Sequence, residues 1–236
     1  MEKPELFDEW PKKYDEWFTT PIGLLIKKYE SELLFDLLRP RSGEIILDAG
    51  CGTGVFTFDI LSFGTRVIGI DLSLPMLSRA AQKTKRYHFQ PILADISSLP
   101  FPENTFDKVV SVTALEFIED GKGAVAELFR VTKKGGRIVV ATLNSLGPWA
   151  KRRKAEAKKG HPLFKNAIFR SPDEFLALAP VRGVIRTAIH FRKEEDPAHA
   201  PEVEMEGRRK GLKTGAFLVG SWEKPEGSLS DASLAS

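Results

Sequence analysis

One cysteine, Cys51, stands alone among 236 residues. That excludes an internal disulfide framework and any zinc site built from several thiolates. Histidine is scarce too: His88, His161, His190 and His199 show no paired metal-ligand spacing, so no metal centre is expected. No unbroken apolar run reaches the about 18 residues that a membrane span needs, and Met1-Glu2-Lys3-Pro4-Glu5 has no apolar signal core. A soluble chain without a transmembrane segment is expected, in a reducing cytoplasm. Neither sign of charge dominates, and a net +3 does not by itself imply nucleic acid. What is present, 42% hydrophobic and 28% charged, is an ordinary globular composition. The length suits one α/β domain with a sizeable core.

The apolar pattern begins with a short helical arm carrying Phe7, Trp10, Tyr14, Trp17 and Phe18 among charges. A helix capped by Thr20 follows, with Ile22, Leu25, Ile26, Tyr29, Leu33 and Leu37 at helical spacing, ended by Pro40 and Gly43. From Glu44 onward short apolar runs alternate with helical stretches. Strands are expected at 45–48, 66–71, 89–95, 106–113 and 137–143, the last entered through a turn at Gly135-Gly136. Helices are expected at 55–63, from Ser73 to Lys83, and at 121–131. Continuous apolar strands separated by helices imply a parallel, doubly wound sheet covered on both faces. After Leu143 the rhythm changes. Two helices are expected in 144–180, the second opened by the capping-box pattern Ser171-Pro172-Asp173-Glu174. Residues 181–191 and 215–222 read as an antiparallel edge pair, with a loop and short helix between them.

The chemistry concentrates at Asp48-Ala49-Gly50-Cys51-Gly52-Thr53-Gly54. A strand ends in an acid, three glycines follow, and a helix begins. Glycines there let a ligand lie against bare main chain, and in an open α/β sheet ligands bind beyond the carboxyl ends of the strands. Asp71 ends the second strand, 21 residues after Gly50, where a carboxylate accepts both hydroxyls of a ribose. Asp95, placed at the end of the third strand, reaches an adenine edge beside the Ile96 amide. Simple turn chemistry explains the glycines alone, but three strand-end aspartates on one sheet edge argue for a nucleoside site. The spacing is Gly-x-Gly-x-Gly, whereas a dinucleotide fold wants Gly-x-Gly-x-x-Gly with a pyrophosphate on the helix N-terminus. An acid beneath the loop repels a pyrophosphate and suits a cation. S-adenosylmethionine has an ammonium and a sulfonium and no phosphate.

At these residues the chain resembles the class I S-adenosylmethionine-dependent methyltransferases. Leu47 to Gly54 is similar to their first motif, Gly69-Ile70-Asp71-Leu72-Ser73 with Met76 to the second, Ala94-Asp95-Ile96 with Leu99-Pro100-Phe101 to the third, and Phe106-Asp107-Lys108-Val109-Val110 to the fourth. The match spans roughly 14 to 222, and its flavour is that of small-molecule enzymes including those of quinone biosynthesis. It implies a seven-stranded, mostly parallel Rossmann-like sheet with the last strand antiparallel. Residues 1–43 would form the arm and first helix, 44–226 the methyltransferase domain with a substrate-covering insert at about 144–180, and 227–236 a disordered tail. The resemblance also implies roles. Asp48 and the backbone of Gly50, Gly52 and Gly54 would hold the methionine portion, with Thr113 beside it. Asp71 would hold the ribose, Leu72 and Met76 the adenine face, and Asp95 and Ile96 its edge. A tyrosine like Tyr14 closes over the cofactor in relatives with a similar arm; plain packing of the arm is the alternative.

Methyl transfer from a sulfonium is an in-line displacement, so positioning and exclusion of water suffice unless the acceptor must lose a proton. Glu116 and Glu119 are the candidate bases, each weighed against a solvated or capping role. His161 and His190 lie where an acceptor pocket could form. No catalytic residue is named. After the fourth strand stands Ser111-Val112-Thr113-Ala114-Leu115, not the Asn/Asp-Pro-Pro-aromatic tetrapeptide of DNA-amino methyltransferases. Cys51 is committed to the loop, which leaves no nucleophile for cytosine-C5 chemistry and no thiol for arsenic. A small-molecule acceptor, converting S-adenosylmethionine to S-adenosylhomocysteine, follows by elimination. Between 151 and 170, eight basic residues face one acid, Glu156. That segment is a solvated face, or it tracks RNA, an anionic membrane face or an anionic small substrate. A regulator that does not catalyse and, more remotely, a nicotinamide oxidoreductase stay open as other classes. Oligomeric state is not legible.

Overall fold

The computed structural model describes residues 5–227, so the expected disorder from residue 228 onward lies outside the described residues. The arm forms two short helices, α1 (Glu5–Asp8) and α2 (Pro11–Trp17). Helix α3 (Pro21–Leu38) starts where the Thr20 hydroxyl accepts the Gly23 N–H at 3.1 Å and stops at Arg39, whose φ of 49° turns the chain before Pro40.

The remaining elements are β1 (Ile45–Ala49), α4 (Val55–Leu61), β2 (Arg66–Asp71), α5 (Leu74–Lys83), β3 (Phe89–Leu93), β4 (Phe106–Val112), α6 (Gly121–Val131), β5 (Thr132–Leu143), α7 (Ala150–Lys158), α8 (Pro172–Leu176), β6 (Val184–Ala188), α9 (Ala200–Arg209) and β7 (Phe217–Glu223). They build one seven-stranded sheet in the order β3-β2-β1-β4-β5-β7-β6. The first five strands pair in parallel, and β7 runs antiparallel to both β5 and β6. This is the expected doubly wound sheet with its antiparallel edge. The order reverses between β1 and β4, which opens a crevice at their carboxyl ends.

Alternation along the strands feeds two cores. Ile46, Val110, Val112, Val139 and Ala141 join the cluster of α3 and α4, while Leu47, Val109, Ile138 and Val140 join the cluster of α6 and α8. The central strands β1 and β4 are apolar on both faces because each face is buried, whereas the edge strands β3 and β6 are partly exposed.

Three expectations are corrected here. Strand β5 begins at Thr132, and Gly135-Gly136 lies inside it as a bulge: Phe106 pairs with Thr132 and Lys108 with Arg137, so extra residues loop out. Gly135 takes a φ of 69° and hydrogen-bonds to Lys224, which anchors the bulge on the segment after β7. Strand β3 stops at Leu93, two residues short of Asp95. Strand β6 is shorter than its alternating sequence, covering only Val184–Ala188. The capping box at Ser171 forms, with the Glu174 carboxylate on the Ser171 N–H at 2.7 Å. No helix among the described residues is long and apolar enough to cross a membrane.

Candidate functional site

The glycines of the β1–α4 loop all take left-handed φ values: 79° at Gly50, 53° at Gly52 and 75° at Gly54. They serve different ends. A Cβ at Gly50 would lie 2.5 Å from Ala114 Cβ and 3.3 Å from Ile96 Cδ1, so glycine there lets the loop press onto the segments after β3 and β4. A Cβ at Gly54 would meet the Ala80 backbone of α5 at 3.1 Å, so that glycine serves helix packing. At Gly52 nothing lies within 4 Å. Its bare backbone faces open space, which is the arrangement a ligand requires.

Asp71 closes the loop from the next strand. One carboxylate oxygen accepts the Gly52 N–H and the other the Ser73 N–H, both at 2.9 Å. Burial pushes its pKa up, and those N–H donors from Ser73 and Gly52 oppose the rise. Asp48 is nearly sealed, 2% exposed, with the Thr57 hydroxyl donating to it at 2.5 Å. Burial raises its pKa to about 7; the Thr57 hydrogen bond works against this and the charge of Asp71 adds to it. The anion expected beneath the loop is therefore a group that titrates near neutrality.

Other expected residues sort themselves by burial. Ile96 is buried against Gly50, Leu72 is exposed, and Met76 is 4% exposed, turned into the packing of α5. Asp95 is exposed and accepts the Ser97 N–H at 2.8 Å; it sits in a loop turn and not at a strand end. Thr113, one residue past β4, holds a φ of 51° while its N–H bonds to Ala141. The half-buried Tyr14 reaches it. Burial and the charge of Glu30 push the Tyr14 hydroxyl well up, and the Thr113 hydroxyl opposes them.

The arm is stitched over this loop by contacts that sequence reading missed. Asp15 accepts hydrogen bonds from the Thr53 hydroxyl at 2.7 Å, Lys83 at 2.5 Å and Arg79 at 2.8 Å. Asp8 accepts the Ser73 hydroxyl at 2.5 Å. Phe7 meets Phe117 edge-on at 5.0 Å, and Trp17 meets Trp149 at 6.3 Å. Only the aromatic rhythm of the arm hinted at this; nothing in its sequence sets Asp8 and Asp15 apart from the other charges.

The largest departure lies just beyond Thr113. Glu116, weighed as solvated or capping, is 0% exposed on a 3₁₀ turn (Leu115–Phe117). One oxygen accepts the Thr142 hydroxyl at 3.2 Å, and burial raises its pKa to about 7. Glu119 is exposed, as expected. The half-buried Glu30 of α3 is raised by burial to about 8, against the pull of Arg153. The basic segment divides. Lys151, Lys154, Lys158, Lys159 and Lys165 are solvated, Arg152 pairs with Glu156, and Arg153 and Arg170 turn inward at 8% and 7% exposed. Arg170 donates to the carbonyls of Leu115 and Ile118, and the Ile168 N–H bonds to the Glu116 carbonyl at 2.7 Å, so the insert grips the turn that carries Glu116. His161 stacks on Phe164, and the His190 N–H bonds to Glu204. No cluster of His, Cys, Asp and Glu among the described residues has metal-binding geometry.

Comparison with known proteins meets this geometry. A protein-family profile described as a methyltransferase domain matches residues 47–140. A demethylmenaquinone methyltransferase from Renibacterium salmoninarum is 30% identical over 176 residues, covering 74% of this chain and 73% of that one. The chain belongs to the class I S-adenosylmethionine-dependent methyltransferases. A malonyl-[acyl-carrier protein] O-methyltransferase from Salmonella typhimurium is 35% identical over 118 residues, 50% of this chain and 46% of the relative. The chain thus spans about half the length of that group of curated relatives. In fold, it is similar to a Thermotoga maritima protein described as a SAM-dependent methyltransferase, "possible histamine N-methyltransferase" (TM-score 0.68, 21% identity, 94% of this chain and 99% of that one). These likenesses agree with the motifs at Asp48–Gly54 and Asp71.

Proposed function

We propose that this chain transfers a methyl group from S-adenosylmethionine to a small-molecule acceptor by in-line displacement. The observation that carries the reading is the pairing of Gly52, left-handed and open on its ligand side, with Asp71, whose carboxylate holds the Gly52 N–H. When bound, S-adenosylmethionine supplies an electrophilic methyl on a sulfonium. The residues of the chain bind, orient and exclude water.

In this reading Asp48 and the backbone of Gly50 and Gly52 receive the methionine portion, and Asp71 the ribose. Leu72, exposed beside Asp71, and the buried Ile96 flank the adenine. Asp95, the exposed neighbour of Ile96, takes the adenine edge. Met76, buried in α5, backs the adenine side of the site, and Gly54 shapes the loop through α5. Thr113 and Tyr14 stand at the methyl end, and the arm keeps water out.

The divided basic segment supports a small acceptor over RNA. The two arginines nearest the crevice are buried, and the solvated lysines form an ordinary helix face. Relatives named for demethylmenaquinone and for a malonyl group on an acyl-carrier protein support an organic acceptor over nucleic acid. Calorimetric titration tests the donor: S-adenosylmethionine binds the unmodified protein with micromolar affinity, and Asp71→Ala abolishes the heat. A titration flat for the unmodified protein removes the reading.

A further inference from the structure

Two buried groups next to this site carry atoms with no partner. Glu116 Oε1 and Arg153 Nη1 make no hydrogen bond among the described residues, although their side chains are 0% and 8% exposed. Arg153 joins no ion pair within the described residues; its guanidinium rests over the Trp149 ring at 5.3 Å. Leaving a buried polar atom unpaired is costly, the more so for a charged one, so proteins keep such atoms where a ligand completes them.

Their position makes that ligand the methyl acceptor. Ala114, two residues before Glu116, packs on Gly50 of the cofactor loop. Tyr14 feels the charges of Glu30 and Glu116 and touches Thr113. The arm spans both groups: Phe7 meets Phe117, next to Glu116, and Trp17 meets Trp149, over which Arg153 rests; the other charged groups acting on the two are Glu30, Arg152, Glu156 and Arg170. Both groups therefore lie beneath the arm, beside the cofactor loop, with Glu116 on a turn that the insert grips.

Resting on the methyl-transfer reading, we propose that Glu116 and Arg153 form the acceptor subsite, and that the acceptor is an acidic hydroxyl compound, a phenol or an enol. The chemistry of the pair selects this class. An amine gathers positive charge as it is methylated, and Arg153 opposes that. A carboxylic acid is already ionised and has no proton to give to Glu116. A phenol gives its proton to Glu116 Oε1 and leaves its oxygen anion to Arg153 Nη1. The O–H bond breaks toward Glu116. An oxygen lone pair forms the new bond to the methyl carbon, and the carbon–sulfur electron pair returns to sulfur, which becomes a neutral thioether. Glu116 then releases the proton to solvent. Glu116 is thereby a catalytic base, and Arg170 positions it through the turn it grips.

The test uses 4-nitrophenol, benzoate and benzylamine as probes with radiolabelled S-adenosylmethionine, on the unmodified protein and on Glu116→Gln and Arg153→Met. Transfer to 4-nitrophenol alone is expected, and each substitution lowers its rate about 10²–10⁴-fold, the usual contribution of a positioned base or charge. Both variants keep cofactor affinity by calorimetry; Arg153→Met melts no lower than the parent because it loses an unsatisfied buried group, and Glu116→Gln keeps the acceptor for the Thr142 hydroxyl. A second readout does not need turnover. With S-adenosylhomocysteine bound, at a pH where the free phenol is protonated, bound 4-nitrophenol absorbs as its anion in the parent and as the neutral form in Arg153→Met. Preference for benzylamine or benzoate overturns the assignment, as does a full rate in Glu116→Gln, a neutral bound phenol in the parent, or transfer to none of the probes. Failure of the parent to bind S-adenosylmethionine strikes the methyl-transfer reading itself.

Discussion

The Asp15 carboxylate of the arm accepts the hydroxyl of Thr53 in the glycine loop at 2.7 Å, bridging 38 residues of sequence. The same carboxylate receives Lys83 and Arg79 of α5. Burial alone would raise its pKa, but hydrogen bonds from Lys83, Arg79 and Thr53 outweigh that and hold it below the ordinary range. Asp15→Ala therefore frees the arm. Trypsin is expected to cut at Lys12 and Lys13 about tenfold faster, the equivalent of about 1.4 kcal/mol of lost closure, with cleavage of the sheet domain unchanged. The sign with pH follows: a lowered pKa means the contribution is present above the ordinary aspartate range and is lost in acid, so the arm stays closed at neutrality.

Gly52 and Asp71 separate backbone shape from charge. Gly52→Val puts a β-branched residue at a φ of 53°, which costs about 1–3 kcal/mol, and fills the one open side of the loop. Calorimetry is expected to show no binding of S-adenosylmethionine. Asp71→Asn keeps an acceptor for one N–H but loses the charge; it is expected to weaken binding about 10-fold or more while the protein melts within a few degrees of the parent. Equal affinity in either variant would place the cofactor elsewhere.

Asp48 predicts a pH dependence for the cofactor. Its pKa, raised to about 7 by burial, falls when a cationic ligand arrives, so binding releases protons. Affinity is expected to rise with pH up to about 7 and then level. Titrations in two buffers of different ionisation heat measure the release directly. Thr57→Val removes the hydroxyl that favours the ionised form, which moves the rise to higher pH. No proton release would mean that Asp48 does not answer the ligand's charge.

The two inward arginines are expected to have opposite effects on stability. Arg170 satisfies the Leu115 and Ile118 carbonyls, so Arg170→Ala costs about 1–3 kcal/mol in urea unfolding. Arg153 satisfies none, and Arg153→Met is expected at or above the parent midpoint. A large loss at Arg153 would make it a structural brace.

The sheet and the loop were legible because their signals are local. Asp48, the glycines and Asp71 lie at strand ends that apolar runs define by themselves, and the edge pair showed in the missing crossover after Leu143. Asp95 was misplaced because the strand before it loses its ladder at Leu93, and a side chain that bonds two residues ahead makes its own turn. Gly135-Gly136 read as a turn because a bulge uses the same residues. Glu116 and Arg153 were hidden for another reason. Nothing in Leu115-Glu116-Phe117 tells whether the middle residue faces water, and nothing in a basic run tells which arginine turns inward. Packing of the insert across the sheet decides both, through contacts such as Arg170 on Leu115, 55 residues apart.

The reversed strand β7 sets where attachments can go. Leu143, at the crevice end of β5, pairs with Phe217 at the start of β7, while Arg137 at the far end pairs with Glu223. Lys224 then anchors to the carbonyls of Arg130 and Thr132, on the side away from the glycine loop. A fluorophore, surface tether or fused domain joined after residue 227 leaves the crevice clear, whereas the same cargo joined before residue 5 hangs on the arm that covers it.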